Sequence, residues 1–272
     1  MNAIQKHLCV LSVTLLLCSI MLSGCGAGGA GMFRFRAENW EPEPGGSIRA
    51  SDLDDLDLDL DLEDVLGLTS REGFWVYGLE ADLGVGTFEV TTLDYSSMGS
   101  NTLMGGFVYS GEEFPDGALL QSDFRAKVST FRSKGALLGV GPILLKYIWG
   151  VDHLELGTTL TATGPELPVP VSASESIDEW VPSFGLGATF SAPIGNNWSI
   201  ELDGEIAGLW ISYGDIDGTY QGMTIRAGIR QGSGMLIGVG HRSLVIDVTD
   251  DGAGISADID LGGSYAFLEW AL

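Results

Sequence analysis

The sequence predicts an all-β fold: an antiparallel, up-and-down transmembrane β-barrel of about ten strands. Three observations predict it. Apolar and polar residues alternate with a period of two through most of the chain after residue 48. The connections alternate in kind, short turns at 83–86, 132–135, 193–197 and 231–234 against longer or more polar loops at 63–72, 97–117, 157–176, 214–218 and 249–254. No clean apolar run of about 18 residues follows the N-terminal leader. The longest candidate, residues 136–151, is broken by Gly139, Gly141, Pro142 and Lys146. The same alternation has an alternative reading, a soluble β-sandwich or barrel carried by a lipoprotein, but a soluble sandwich has no reason to show the asymmetry between turns and loops.

The chain has 272 residues, 45% of them hydrophobic and 40 of them Gly, which suits one large β domain or two small ones. A net charge of −24 excludes nucleic acid as a partner and favours divalent cations or cationic solutes. No cofactor is expected.

Residues 1–24 read as a secretory signal, with Lys6 in the positive region and an apolar stretch over 8–22. The leader ends Leu22-Ser23-Gly24-Cys25, which resembles the lipobox of bacterial lipoproteins and implies acylation of Cys25. Cleavage there leaves Cys25 as the only cysteine, since the other two, Cys9 and Cys18, lie in the leader. An ordinary signal peptide cut within residues 26–31 is the alternative. Residues 25–46 are then a lipidated N-terminus and flexible linker, Gly-rich and ending Glu41-Pro42-Glu43-Pro44. Phe33-Arg34-Phe35-Arg36 within it admits a short strand or a membrane-surface contact, and linker is the favoured reading. The barrel domain covers 47–272.

The first strand is read over 49–62. Leu56, Leu58, Leu60 and Leu62 alternate with Asp55, Asp57, Asp59 and Asp61, a pattern that a helix would scatter around its cylinder. Aspartates at every second position project together, so these four are candidate ligands for a divalent cation, although the Gly and distal Glu of an EF-hand loop are missing. A lumen face balanced by basic residues on other strands is the preferred reading. Strands at 74–83 and 87–96 follow, with Trp75, Tyr77 and Leu79 on one apolar face and Phe88 and Val90 on the next. Residues 121–132 set Phe124, Ala126 and Val128 outside and Arg125 and Lys127 in the lumen. In 136–156 a bulge near Pro142 would keep Ile143, Leu145, Tyr147 and Trp149 outside. Residues 180–191 present Trp180, Phe184, Leu186 and Phe190.

The hairpin at 198–230 shows the pattern most fully. Trp198, Ile200, Leu202, Ile206 and Trp210 form a lipid-facing row, and Glu201, Asp203 and Glu205 face the lumen. The returning strand adds Arg226 and Arg230 to the lumen, with Arg226 expected near Glu205 and Arg230 near Glu201. Residues 235–248 contribute Arg242. The last strand, 255–272, places Leu268, Trp270 and Leu272 toward lipid. An even strand number puts both termini at the periplasmic end, where a lipid anchor would sit.

Gly238-Val239-Gly240-His241-Arg242, the acidic loop after it and the ending Gly263-Ser264-Tyr265-Ala266-Phe267-Leu268-Glu269-Trp270-Ala271-Leu272 resemble the small outer-membrane β-barrel proteins of Gram-negative bacteria. Residues 62–68 and 114–122 are similar to pieces of uncharacterised barrels of this type. The resemblance covers 48–272 and implies an outer-membrane location, with outer-membrane lipid, the barrel-assembly machinery and the lipoprotein-sorting machinery as partners. The family usually ends in Phe, where this chain has Leu272.

Three functions follow as expectations. The first is a structural barrel, or a narrow pore preferring cations because the lumen face is richer in acids (Asp55, Asp57, Asp59, Glu80, Asp82, Asp123, Glu201, Asp203 and Glu205 against Arg49, Arg125, Lys127, Arg226, Arg230 and Arg242), with an ion-pair network of Glu201, Asp203, Glu205, Arg226, Arg230, Arg242, Arg125 and Lys127. The second is an adhesion or interaction protein acting through its surface loops. The third is a hydrolase, an activity some small outer-membrane barrels have, for which His153 beside Asp152 and Glu155 is the one candidate.

Overall fold

The computed structural model describes residues 33–52, 57–68, 73–83, 86–165, 167–213, 216–232, 234–250 and 255–271. The signal segment, Cys25, Asp55 and Leu272 lie outside the described residues. Among the described residues thirteen strands are present: β1 (Phe33–Asp52), β2 (Asp57–Asp61), β3 (Phe74–Asp82), β4 (Thr87–Thr102), β5 (Phe107–Tyr109), β6 (Glu112–Phe114), β7 (Leu119–Val140), β8 (Ile143–Thr163), β9 (Val171–Pro193), β10 (Trp198–Tyr213), β11 (Ile216–Gln231), β12 (Met235–Asp250) and β13 (Ile255–Ala271). Ten of them form a closed antiparallel barrel in the order β1, β3, β4, β7, β8, β9, β10, β11, β12 and β13, with β13 pairing back onto β1. Strands β2, β5 and β6 are additions at one end.

The count of ten is as expected, but the first strand is a different one. Residues 33–46 are not a linker. They form most of β1, paired with β13 from Arg34–Ala271 to Ile48–Ala257 and with β3 from Phe33–Ala81 to Trp40–Phe74. Pro42 and Pro44 do not interrupt β1. They lie where pairing with β3 has ended at Trp40 and pairing with β2 has not begun at Ser47, an edge that tolerates a missing N–H. The aspartate–leucine segment is no barrel strand either. Its described part, β2, doubles back beside β1 (Ser47–Asp61), with Leu60 and Leu62 buried inward and Asp59 exposed.

Two of the turns also move. Residues 132–135 belong to β7, which runs on to a turn at Gly141-Pro142, with Gly141 at φ +58°. The register shift sits between Ala136 and Leu138 rather than at Pro142. The hairpin turn at 214–218 is tighter than expected, since pairing continues to Tyr213–Ile216. The long loops are largely strand as well: β4 runs to Thr102, β8 to Thr163, and β9 begins at Val171.

Strands of up to 23 residues are about twice the 9–11 needed to cross a bilayer at a tilt. They divide into two halves with opposite dressing. In the short-turn half the outward residues are apolar: Ile143, Leu145, Tyr147, Trp149 and Val151 on β8, and Trp180, Phe184 and Leu186 on β9. There the inward residues are charged. In the long-loop half the pattern reverses. Strand β8 buries Leu154, Leu156 and Leu160 inside, and β13 buries Ala257, Ile259 and Leu261 while Asp258 and Asp260 face out. Phe107 and Phe114, stacked at 5.0 Å, and Tyr109 fold into this apolar interior, so the segment expected as a free surface loop closes the end.

Candidate functional site: a neutral ion-pair network in the lumen

The inward charges of the short-turn half come from alternate positions on nine different strands. The sequence places them there because each strand's polar face must point away from its apolar outer face. Away from water such groups must be paired, and each is. On β1, Arg36 sits 2.7 Å from Glu38, 3.4 Å from Glu80 of β3 and 2.6 Å from Glu89 of β4. Arg34 reaches Glu80 at 3.3 Å. Lys134 of β7 bridges Glu89 and, across the lumen, Glu205 of β10. Lys146 of β8 binds Asp203 at 2.8 Å and Glu205 at 3.0 Å. Arg226 of β11 lies 3.6 Å from Asp203 and 3.2 Å from Glu269 of β13, and Arg230 lies 2.5 Å from Glu201 and 2.7 Å from Glu269. Arg242 of β12 returns to Glu38 at 2.8 Å and stacks over Trp40 and Tyr265, each at 5.6 Å. A separate pair, Arg132–Asp152, binds through two hydrogen bonds, of 3.3 and 2.6 Å.

Among the described residues these are eight cations against eight carboxylates. The charges of these pairs therefore balance, and the acidic surplus of the chain does not lie in them. The network separates two spaces. A cavity of about 530 Å³ lies among the short turns, lined by Arg34, Asp82, Gly86, Lys146 and Glu201. A central cavity of about 70 Å³, room for a few waters, is lined by Arg36, Glu89, Arg132, Tyr220 and Arg242. Above it the interior is the apolar core, including Leu93, Tyr95, Phe124 and Leu244.

Two groups in the long-loop half are electrostatically unusual. Burial pushes the Glu175 carboxyl up from the ordinary range, partly offset by hydrogen bonds with the Tyr109 and Ser110 side chains. Burial, and the Glu175 carboxylate beside it, raise the Tyr109 hydroxyl. On the outer surface the Asp258 carboxyl is raised by burial and by Asp247, Asp260 and Asp59 around it.

The expected site residues fare differently. Glu201, Asp203, Glu205, Arg226, Arg230 and Arg242 all point inward and meet. Arg226 pairs with Asp203 and Glu269 rather than with Glu205, because the tighter turn shifts the register by two residues (Asp203 opposite Arg226). Arg125 and Lys127 do not join. They lie on the outer surface of the long-loop half, bound to Asp94 at 2.8 Å and Glu155 at 2.6 Å, because there water is outside and the polar face turns toward it. Trp198, Ile200, Leu202, Ile206, Leu268 and Trp270 point outward, between 40% and 57% exposed. The Trp210 side chain lies outside the described residues. Asp61 accepts hydrogen bonds from the backbone N–H groups of Glu63 and Asp64, a turn role. Among the described residues no three acidic, His or Cys side chains form a metal-binding group. His153 is on the outer wall, its ring stacked on Trp180 at 4.5 Å and its Nε2 2.6 Å from Asp178. Its neighbours are carboxylates and an indole, and it lines neither of the two lumen cavities.

Nine network members are not placed in the lumen by the sequence. Arg34, Arg36 and Glu38 fall in the expected linker, Arg132 and Lys134 at an expected turn, Glu89 and Lys146 in strands whose polar face is not assigned to the lumen, Asp152 beside His153, and Glu269 in the terminal motif. Their signal was available: Arg34/Arg36/Glu38 and Arg132/Lys134 show the same every-second-residue spacing as Glu201/Asp203/Glu205.

No protein-family model and no curated protein matches the chain. Solved structures do. The chain is similar to the outer membrane protease OmpT from Escherichia coli, with a TM-score of 0.51 and 10% identity over 92% of this chain and 99% of that one. Weaker likenesses are to the transport unit of the autotransporter AIDA-I from Escherichia coli (TM-score 0.41, 9% identity, 93% and 94% covered) and to the translocator domain of the autotransporter NalP from Neisseria meningitidis (0.40, 11%, 99% and 98%). At such identities the likeness to OmpT speaks for fold alone. The chain is an all-β, antiparallel, closed ten-strand barrel with the fold of outer-membrane barrels.

Proposed function

We propose that the protein is a closed outer-membrane barrel that does not conduct and instead holds a rigid, acidic, water-facing half beyond the membrane. The carrying observation is the interior itself: a neutral ion-pair network across the short-turn half, with an apolar core above it. An ion following the axis would have to break buried pairs and then cross hydrocarbon side chains, both of which cost several kcal/mol. The apolar outer band of the short-turn half is the part that would contact lipid, with Trp75, Trp149 and Trp180 near its upper rim.

In planar bilayers the refolded protein is expected to give no steady conductance. Reproducible unit conductance steps of any ion preference would overturn the closed reading and favour the narrow pore. An interaction role through the long-loop half is consistent with closure, and divalent cations are the natural counterions of its acidic surface. The leader supports a further proposal, that Cys25 is acylated, processed by the lipoprotein-sorting machinery and anchored at the periplasmic face. Cys25→Ala should then accumulate as unprocessed precursor, and normal maturation of that variant would rule the anchor out.

A further inference from the structure

The barrel wall forks between β9 and β10. Their pairing runs from Ser199–Pro193 to Gly208–Phe184 and stops there, although β9 extends back to Val171 and β10 runs on to Tyr213. One residue accounts for the end of the pairing. The backbone N–H of Ser191 points to the β8 side, where it donates to Pro142 O at 2.9 Å. By alternation the even-numbered residues of β9 offer their N–H groups to β10. Pro182, the next such residue beyond Phe184, has none to offer.

At this fork is a groove of about 250 Å³, walled by Phe184 and Leu186 on β9 and by Ile206 and Leu209 on β10, with Tyr220 at its base. Among the described residues no charged side chain lines it. Phe184, Leu186 and Ile206 belong to the outward apolar band, 60%, 59% and 46% exposed, so the groove is continuous with the surface proposed above to face lipid. Tyr220 is buried and also borders the central cavity, so the phenol closes the wall that the missing strand pairing leaves open.

We propose that the β9–β10 fork is a binding site for one hydrocarbon chain of a membrane lipid, held between Phe184/Leu186 and Ile206/Leu209 against Tyr220. The proposal rests on the membrane placement above. An acyl chain suits the groove because it brings no polar group to leave unpaired, and it covers apolar surface that flat neighbouring lipids would fit poorly. The groove ends at Tyr220 and does not open into the network, so the site retains a lipid rather than passing one.

The test is native mass spectrometry of the full chain refolded in phosphatidylethanolamine-containing vesicles, extracted into detergent and released from micelles. Wild type should retain one lipid per chain. Ile206→Trp, which fills the groove, should lose at least nine-tenths of it, while Ile229→Trp, on the outer face of β11 away from the groove, should keep it. Absence of bound lipid on wild type, or equal retention by Ile206→Trp, would overturn the site. If Ile206→Trp does not fold, a photoreactive benzoyl-phenylalanine at Leu186 and another at Ile229 give the same reading. Lipid captured at Leu186 after transfer to lipid-free amphipol, with none at Ile229, supports the site, and equal capture rejects it. A chain that stays soluble without detergent would refute the membrane placement instead, an outcome distinct from a membrane-bound chain with an empty groove.

Discussion

Deleting residues 33–45 is expected to abolish the folded barrel. β1 is hydrogen-bonded on both sides, to β13 from Arg34 upward and to β3 through Trp40, so its loss leaves two open edges where the closed wall had none. The deletion also removes Arg36 and Glu38, which hold Glu89 and Arg242, and Trp40, a fully buried ring packed on Phe74 at 5.5 Å. The refolded variant should show no compact band on an unboiled gel, where the intact chain shifts on boiling. Retention of that shift would mean that residues 33–45 are a dispensable tether after all.

The second large effect is expected at Asp152. This carboxylate is fully buried and makes a two-bonded pair with Arg132. Asp152→Ala leaves the Arg132 guanidinium with no such partner, and orphaning a buried charge costs about 3–5 kcal/mol. Removing both charges should restore most of it, because a well-packed apolar pair avoids the desolvation of either ion. Urea unfolding followed by tryptophan fluorescence should therefore show a large fall in midpoint for Asp152→Ala and a near-recovery for Asp152→Leu with Arg132→Met. A double variant no more stable than the single would show that the pair does more than neutralise itself.

What could be read from the sequence depended on whether a residue's pattern was complete within a short window. The 198–230 hairpin had both faces complete, and its inward charges and outward apolar row were legible. The β7 strand was not, because its dressing changes along its length: Phe124, Ala126 and Val128 are even-numbered and buried, whereas Phe131 is odd-numbered and outward. Period-two alternation holds from Leu120 to Lys134. The apolar class merely moves from one phase to the other as the strand leaves the band, and a single inside and outside assumed for each strand put Arg125 and Lys127 on the wrong side. The same change appears in β8, from Val151 to Leu154, and in β13, from Leu261 to Ala266. Pro42 and Pro44 hid β1 because proline argues against a strand only where its missing donor would have been used, and pairing is not visible in one sequence. The β9–β10 fork was illegible for the same reason.

The exact cancellation of charge within the network has a consequence at long range. The chain carries −24 overall, and none of that surplus is held by the network. On the placement proposed above, the outer band of the short-turn half faces lipid and the outer surface of the long-loop half faces water, where Asp94, Asp178, Asp258 and Asp260 point outward. Among the described residues the molecule then holds balanced ion pairs where it is enclosed and carboxylates where it meets solvent. Cationic solutes should accumulate at that surface and approach it faster at low ionic strength than at physiological salt, where screening cuts in over about 8 Å.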